Sequence, residues 1–142
     1  QRRNALDLEA FDLLADHERC QVVLVTLPET TPVNEAIETA FAIEERVEVR
    51  LGPIVVNGVD SDGEVPSPER AEAAVDDVRA DLGAVLVDAA AYRRSRRAME
   101  RRELARLAAE LPLPQVTLPA VPVAGLADAD IEFLASRLGG TS

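Results

Sequence analysis

Residues 22–36 read VVLVTLPETTPVNEA, and this stretch decides the fold class of the chain. Its first part is a run of apolar and mostly β-branched residues, which is typical of a parallel strand covered on both faces. The run ends at Pro28, and the next segment has Thr31 as a candidate N-cap and Pro32 as a first helical residue. A strand, a turn and a helix in this order predict an α/β unit whose ligands bind at the carboxyl end of the strand.

The same order of elements continues along the chain. The predicted strands cover residues 21–27, 51–59 and 115–119. Helical patterns precede the first strand, follow it, and close the chain from about Asp128 to Leu138. We therefore predict that residues 1–142 form a single α/β domain, a three-layer and mostly parallel sheet flanked by helices.

The segment between the second and third strands divides into two parts. Residues 60–68, DSDGEVPSP, have the composition of a surface loop. The carboxylates at Asp60, Asp62 and Glu64 resemble the start of a calcium loop, but the later glutamate and the central glycine of that motif are out of register, which favours a solvated loop. Residues 67–111 are rich in alanine and predict a helical insertion of two helices, divided near Gly83.

Composition excludes several function classes. The 26 acidic residues outnumber the 15 basic ones, and the net charge of -11 argues against nucleic acid and anionic membranes as partners. Every basic residue is Arg, so the chain lacks the lysine of a P-loop. One cysteine, Cys20, and one histidine, His17, are too few for a structural zinc site. We predict no metal site and a cytoplasmic location.

Six arginines form a basic cluster in this acidic chain. They are Arg93, Arg94, Arg96, Arg97, Arg101 and Arg102. Such a cluster is a candidate site for phosphate, an acidic partner or RNA, and the alternative is a solvated helix face. Glutamates lie between these arginines and Tyr92 is the only tyrosine, so the solvated face is the favoured interpretation.

Three segments together resemble a known family. VVLVTLPETTPVNEA, then IVVNGV, then RRELARLAAELPLPQVTLPAVPVAGL are similar to the carboxyl-terminal half of the anion-transporting ATPases, the family of the arsenical-pump ATPase and of the ATPase that targets tail-anchored proteins. The resemblance covers about residues 20–138. It implies the carboxyl-terminal part of a P-loop NTPase fold, ATP as ligand, and magnesium bound mainly by a missing amino-terminal portion, which also agrees with a chain that begins at Gln1.

The resemblance also implies site residues and partners. The residues it assigns to the nucleotide are Asn57, Glu29, Pro119, Ala120, Val121 and Pro122. In this assignment the Asn57 amide reads the purine edge and the proline-rich loop packs beside the base. Family members act as homo- or heterodimers of ATPase subunits and handle a client protein or a membrane partner.

Alternatives remain for the site residues and for the whole chain. An Asn followed by Gly is also common in a turn, and Glu29 is also suited to capping the next helix. The first interpretation is a part of an ATPase that does not hydrolyse ATP by itself. The second is a noncatalytic partner-binding module or a degenerate ATPase half. An unrelated small α/β binding domain is the third interpretation of the same order of elements.

Overall fold

The strands and helices of the chain alternate. The computed structural model describes residues 12–14, 16, 18–46, 49–60, 66–73, 80–121 and 125–139. In chain order its elements are β1 (Val25–Thr26), α1 (Thr30–Arg46), β2 (Ile54–Val59), α2 (Pro68–Ala73), α3 (Ala80–Glu110), β3 (Gln115–Pro119) and α4 (Asp128–Gly139). This order confirms the α/β class.

The three strands form one parallel sheet in the order β1-β2-β3. Val25 pairs with Val55, and Val55 pairs with Val116, so these three side chains lie on the same face. An isolated parallel bridge between Val22 and Leu51 extends the contact of β1 with β2. Both strands lie within the predicted ranges but are shorter: β1 covers only Val25–Thr26 of residues 21–27, and β2 covers Ile54–Val59 of residues 51–59, with the Val22–Leu51 bridge outside both.

Two helices cover one face of the sheet. The buried cluster joins α1, β2 and the last turns of α3; its members are Val33, Ile37, Ala40, Ile54, Val56, Leu107 and Leu111. The α1 residues recur at helical spacing and the β2 residues at strand spacing, which is why both elements present one apolar face to the same core. Phe41, also on α1, is about half exposed.

Two predicted boundaries are wrong. Helix α1 begins at Thr30, ahead of Thr31 and Pro32, because the Val33 amide already donates to the Glu29 carbonyl at 3.0 Å. Helix α3 runs unbroken from Ala80 to Glu110, so the predicted division near Gly83 falls inside a helix. A single glycine costs only about 1 kcal/mol in a helix, and a 31-residue helix tolerates it.

Other boundaries agree with the sequence. Helix α2 begins at Pro68, and the Ser67 hydroxyl accepts a hydrogen bond from the Arg70 amide at 3.3 Å, as a cap does. β3 ends at Pro119 and α4 begins at Asp128, both as predicted. Most of the predicted amino-terminal helix and residues 61–65 of the loop lie outside the described residues. No helix in the described ranges is both long enough and apolar enough to cross a bilayer.

Candidate functional site

A cleft of about 390 Å³ opens between the first strand and helix α1. Its walls are β1 with the residues on either side of it, 24–27, and one stripe of α1, with Asn57 contributed by β2. The α1 residues are Pro32, Glu35, Ala36 and Thr39. The α1 residues are spaced by three or four positions, so they share one side of the helix. The cleft thus combines apolar walls with a few polar groups, which is the usual composition of a ligand pocket.

Asn57 lies in β2 near the carboxyl end of the strand, where a ligand of a parallel sheet is expected. Its side chain is exposed and forms no hydrogen bond with another described residue. Gly58 follows with φ of 76°, a conformation that side-chain-bearing residues rarely adopt, and the register with β3 shifts between Val56 and Val59. Asn57 and Gly58 therefore lie at an irregularity within β2, and the simple turn interpretation is wrong.

The proline-rich segment lies elsewhere. Pro119 ends β3 opposite Val59, and the Ala120 amide donates to the Val59 carbonyl at 2.9 Å. Pro119 lines a second, smaller cavity of about 90 Å³ together with Val59, Thr117 and Arg137. Val121 is partly buried, and Pro122 lies outside the described residues. Asn57 and Pro119 therefore line two different cavities in this structure.

Glu29 lies at the turn between β1 and α1. Its amide donates to the Leu27 carbonyl at 2.8 Å, and its carbonyl accepts the first hydrogen bond of α1. Its carboxylate accepts a hydrogen bond from Arg96 Nη2 at 3.3 Å. The backbone of Glu29 starts the helix, while its side chain is held by α3 at the carboxyl edge of the sheet.

A network of charged side chains extends from Glu29 along that edge. We call it the edge ion network; its members are Glu29, Asp60, Arg93, Arg96, Arg97 and Glu100. Residues 93, 97 and 100 lie on one side of α3, at helical spacing, so successive turns of the helix reach the ends of β1 and β2. Closer to its carboxyl terminus the same helix buries Leu107 and Leu111 in the core.

Asp60 is the centre of this network. Arg93 donates to both of its carboxylate oxygens at 2.7 Å, and Arg97 donates to one of them at 2.9 Å. These two guanidinium groups, through hydrogen bonds first and charge second, hold the pKa of the Asp60 carboxyl far below its ordinary value. Asp60 is therefore fixed as a carboxylate that belongs to the fold.

Glu100 is buried, with 1% of its surface exposed. One carboxylate oxygen accepts a hydrogen bond from the Asp60 amide at 3.0 Å, and the other accepts one from Arg96 Nε at 2.9 Å. Both oxygens of a buried charge are thus satisfied, as burial requires. The residue also joins α3 to the end of β2.

A second, smaller set of contacts lies beside the first. Glu103 accepts hydrogen bonds from Arg106 at 2.7 and 3.0 Å and from the Thr30 hydroxyl at 3.2 Å. The Arg106 guanidinium in particular lowers the pKa of the Glu103 carboxyl. This set fixes the first residue of α1 against α3.

Most of the basic cluster therefore forms contacts within the chain and is not the solvated helix face that the sequence favoured. Arg93, Arg96 and Arg97 pair with carboxylates of the same chain, and Arg94 donates to the Pro66 carbonyl at 2.7 Å. The interpretation as a solvated helix face agrees with the structure for Arg101 and Arg102, which are exposed, and in part for Arg93, which is exposed although it pairs with Asp60. The i,i+4 spacing of Arg96 and Glu100 is the one part of the network that the sequence could reveal.

Sequence patterns did not single out the other polar residues of the cleft. Glu35 was visible only as an acid near the predicted start of the helix, and no pattern indicated Thr39. For metals, no group of three or more potential ligands occurs among the described residues. Asp62 and Glu64 of the calcium-like loop lie outside them, and Asp60 is held by arginines.

Comparison with known proteins adds no relative: no protein-family model matches the chain, and no curated protein matches it. A function for this chain is therefore inferred from the geometry of the cleft and of the edge ion network.

Proposed function

We propose that this chain supplies the base-binding side of an adenine-nucleotide site, as the carboxyl-terminal part of an ATPase of the anion-transporting type. The observation that carries the proposal is the Asn57 amide, which faces a 390 Å³ cleft near the carboxyl end of β2 without a hydrogen bond to another described residue. An Asn side chain offers one donor and one acceptor in a plane, which matches the edge of a purine.

The size and walls of the cleft support a base rather than a whole nucleotide. Its volume lies near the lower end of the range for ligand pockets. Leu27, Pro32 and Ala36 offer apolar surface for a planar ring, and Glu35 and Thr39 offer further polar contacts. The Pro119 segment belongs to the second cavity in this structure, so the proposal depends on Asn57 and not on the proline-rich loop.

The arginines of the edge ion network are not available to bind the phosphates of a nucleotide. Arg93, Arg96 and Arg97 are engaged by carboxylates, so binding phosphate there would first require breaking these pairs. In this proposal a longer parent protein, with a P-loop NTPase fold, supplies the phosphate loop, the magnesium ligands and the hydrolytic water. The dimeric ATPase assembly, its client or membrane partner and the cytoplasmic location belong to the same proposal.

The experiment is a calorimetric titration of ADP and ATP, with magnesium, into this chain and into a longer polypeptide extended upstream in the gene. We expect the extended protein to bind and its Asn57→Ala variant to bind about tenfold more weakly, as for the loss of one or two hydrogen bonds. The matched control is Asn34→Ala, which removes an exposed Asn on α1 outside the cleft. Equal affinities of the two variants would contradict a base contact.

The noncatalytic alternative is a partner-binding module. In one form of this alternative, the basic cluster binds an acidic partner. The ion pairs of Arg93, Arg96 and Arg97 with carboxylates of the same chain argue against that form. If the extended protein binds neither nucleotide, this alternative gains, and the surface that serves a partner lies elsewhere on the molecule.

A further inference from the structure

The cleft between β1 and α1 has one charged residue in its lining. Among the described residues that line it, Glu35 alone is charged, and the others are apolar or neutral. The Glu35 carboxylate forms neither an ion pair nor a hydrogen bond with another described residue. An ionised carboxylate only accepts hydrogen bonds, so the part of a ligand that lies against it has to donate one. This part of the cleft therefore repels a phosphate and suits an amino group.

Asn57 and Glu35 line the cleft from two different elements. Asn57 belongs to β2, in the sheet, and Glu35 belongs to α1, which covers the sheet. An aromatic amino group has two hydrogens, so it can donate one to the amide oxygen of Asn57 and the other to the carboxylate of Glu35. The amide nitrogen of Asn57 then donates to the ring nitrogen beside that amino group. Adenine has this pair of an amino group and a ring acceptor, which Asn side chains bind in a bidentate manner.

The Glu35 carboxylate disfavours a base that has a carbonyl group in place of the amino group. Guanine and hypoxanthine both have a carbonyl oxygen at that position, so two acceptors would face each other without a donor. Asn57 can turn its amide to donate instead, and the hydroxyl of Thr39, one turn after Glu35, both donates and accepts. An ionised carboxylate cannot adapt in this way. Discrimination between the bases therefore depends on Glu35.

We propose that Glu35 is the specificity-determining residue of the cleft. It accepts a hydrogen bond from the exocyclic amino group of adenine, and it selects adenine nucleotides over those of hypoxanthine and guanine. The inference rests on the proposed adenine-nucleotide site and names the residue that selects the base there. Asn57 contributes affinity for the edge of the base, and Glu35 contributes the discrimination.

The test compares ADP with GDP and with inosine diphosphate (IDP), whose base is hypoxanthine. The three ligands have the same sugar and diphosphate and differ only in the base. Each is titrated calorimetrically, with magnesium, into the protein extended upstream in the gene. We expect ADP to bind about tenfold more tightly than IDP or GDP, as for one hydrogen bond to a charged group. The ratio of ADP to IDP affinity within one protein cancels any change in phosphate binding.

Variants of Glu35 show whether this residue causes the preference. Glu35→Ala should reduce the preference for ADP over IDP to about twofold by weakening ADP binding, because the acceptor is lost. Glu35→Gln should reduce it to about twofold by tightening IDP binding, because a Gln amide can donate to a carbonyl oxygen. The matched control is Glu38→Ala, which removes an equal charge from an exposed position on α1 outside the lining of the cleft. It should keep the preference of the wild type.

Two results would overturn the inference while the proposed adenine-nucleotide site stands. One is equal affinity of the wild type for ADP and IDP. The other is the same preference for ADP in the Glu35→Ala and Glu38→Ala proteins. Tighter binding of GDP than of ADP, or no binding of any of the three nucleotides, would instead contradict the adenine-nucleotide site itself, and the inference with it.

Discussion

The cleft and the edge ion network lie next to each other at the sheet, but they differ in whether their polar groups have hydrogen-bond partners within the chain. In the network every carboxylate has an arginine or an amide as partner, and Glu100 is buried with both oxygens bonded. In the cleft the Asn57 amide has no such bond among the described residues, although it lies at the end of a strand. Polar groups that are satisfied internally explain the fold, whereas those left open are the candidates for ligand binding.

The largest effect is expected at the centre of the network. Glu100→Ala removes a buried carboxylate and leaves Arg96 Nε and the Asp60 amide without their acceptor, although Arg96 keeps its contact with Glu29. We expect a loss of about 3 kcal/mol in the free energy of unfolding, measured by urea denaturation. Glu110→Ala on the same helix, where the ion pair with Arg106 is exposed and 3.4 Å long, is the control and should cost less than about 0.5 kcal/mol. A similar loss for both variants would remove the distinction between the network and an ordinary helix surface.

Asp60→Asn is expected to cost about 1.5 kcal/mol near neutral pH, because it removes the charge that Arg93 and Arg97 share and Arg93 is partly exposed. The pKa of Asp60 is lowered in the folded chain, so the unfolded chain takes up the proton more readily at acid pH. The stabilisation is therefore complete above the ordinary value of 3.8 and is lost as the pH falls below it.

Urea denaturation of the two proteins across pH measures this dependence. The difference in unfolding free energy between the wild type and Asp60→Asn should shrink between about pH 6 and about pH 2.5. A difference that stays constant over this interval would show that the ion pairs with Asp60 do not stabilise the fold.

The sequence predicted what depends on local pattern and missed what depends on distant pairing. The apolar run of β2, the end of β3 at Pro119 and the start of α4 at Asp128 are all local signals, and all three are present. Asp60 and Arg93 are 33 residues apart, and no local rule joins them. The arginine cluster was therefore visible as charge, but its use within the fold was not.

The site was only partly accessible to the same reasoning. The family resemblance assigned Asn57 to the nucleotide, and Asn57 does line the cleft near the carboxyl end of β2, but its contact with a nucleotide stays a prediction. Asn57 and Pro119 line two separate cavities, and the register of β2 with β3 shifts between them. Gly58 marks this irregularity in the sequence, but no sequence pattern shows the two cavities. Glu35 and Thr39 were missed because their role depends on which side of α1 faces the strand.

A smaller effect is expected at the boundary between the two regions. Gly58 has φ of 76° and sits between Asn57 of the cleft and the end of β2 that leads to Asp60. Gly58→Ala should cost about 1 kcal/mol, since the space is adequate and only the backbone is strained. Gly125→Ala, where an added methyl group meets open space, is the control. If Gly58→Ala lowers the free energy of unfolding by less than the control does, β2 does not require the positive φ at Gly58. The position of Asn57 should then change as well.

The smallest effect on stability is expected in the cleft itself, and it is the sharpest test of the comparison. Asn57→Ala, Glu35→Gln and Thr39→Val each change a group on the surface of the cleft. We expect each to alter the free energy of unfolding by less than about 0.5 kcal/mol in urea denaturation, because no internal hydrogen bond is lost. A larger cost for Asn57→Ala would place this residue with the network as part of the fold. An unchanged stability, together with a loss of nucleotide affinity, would identify a side chain that the fold leaves open for a ligand.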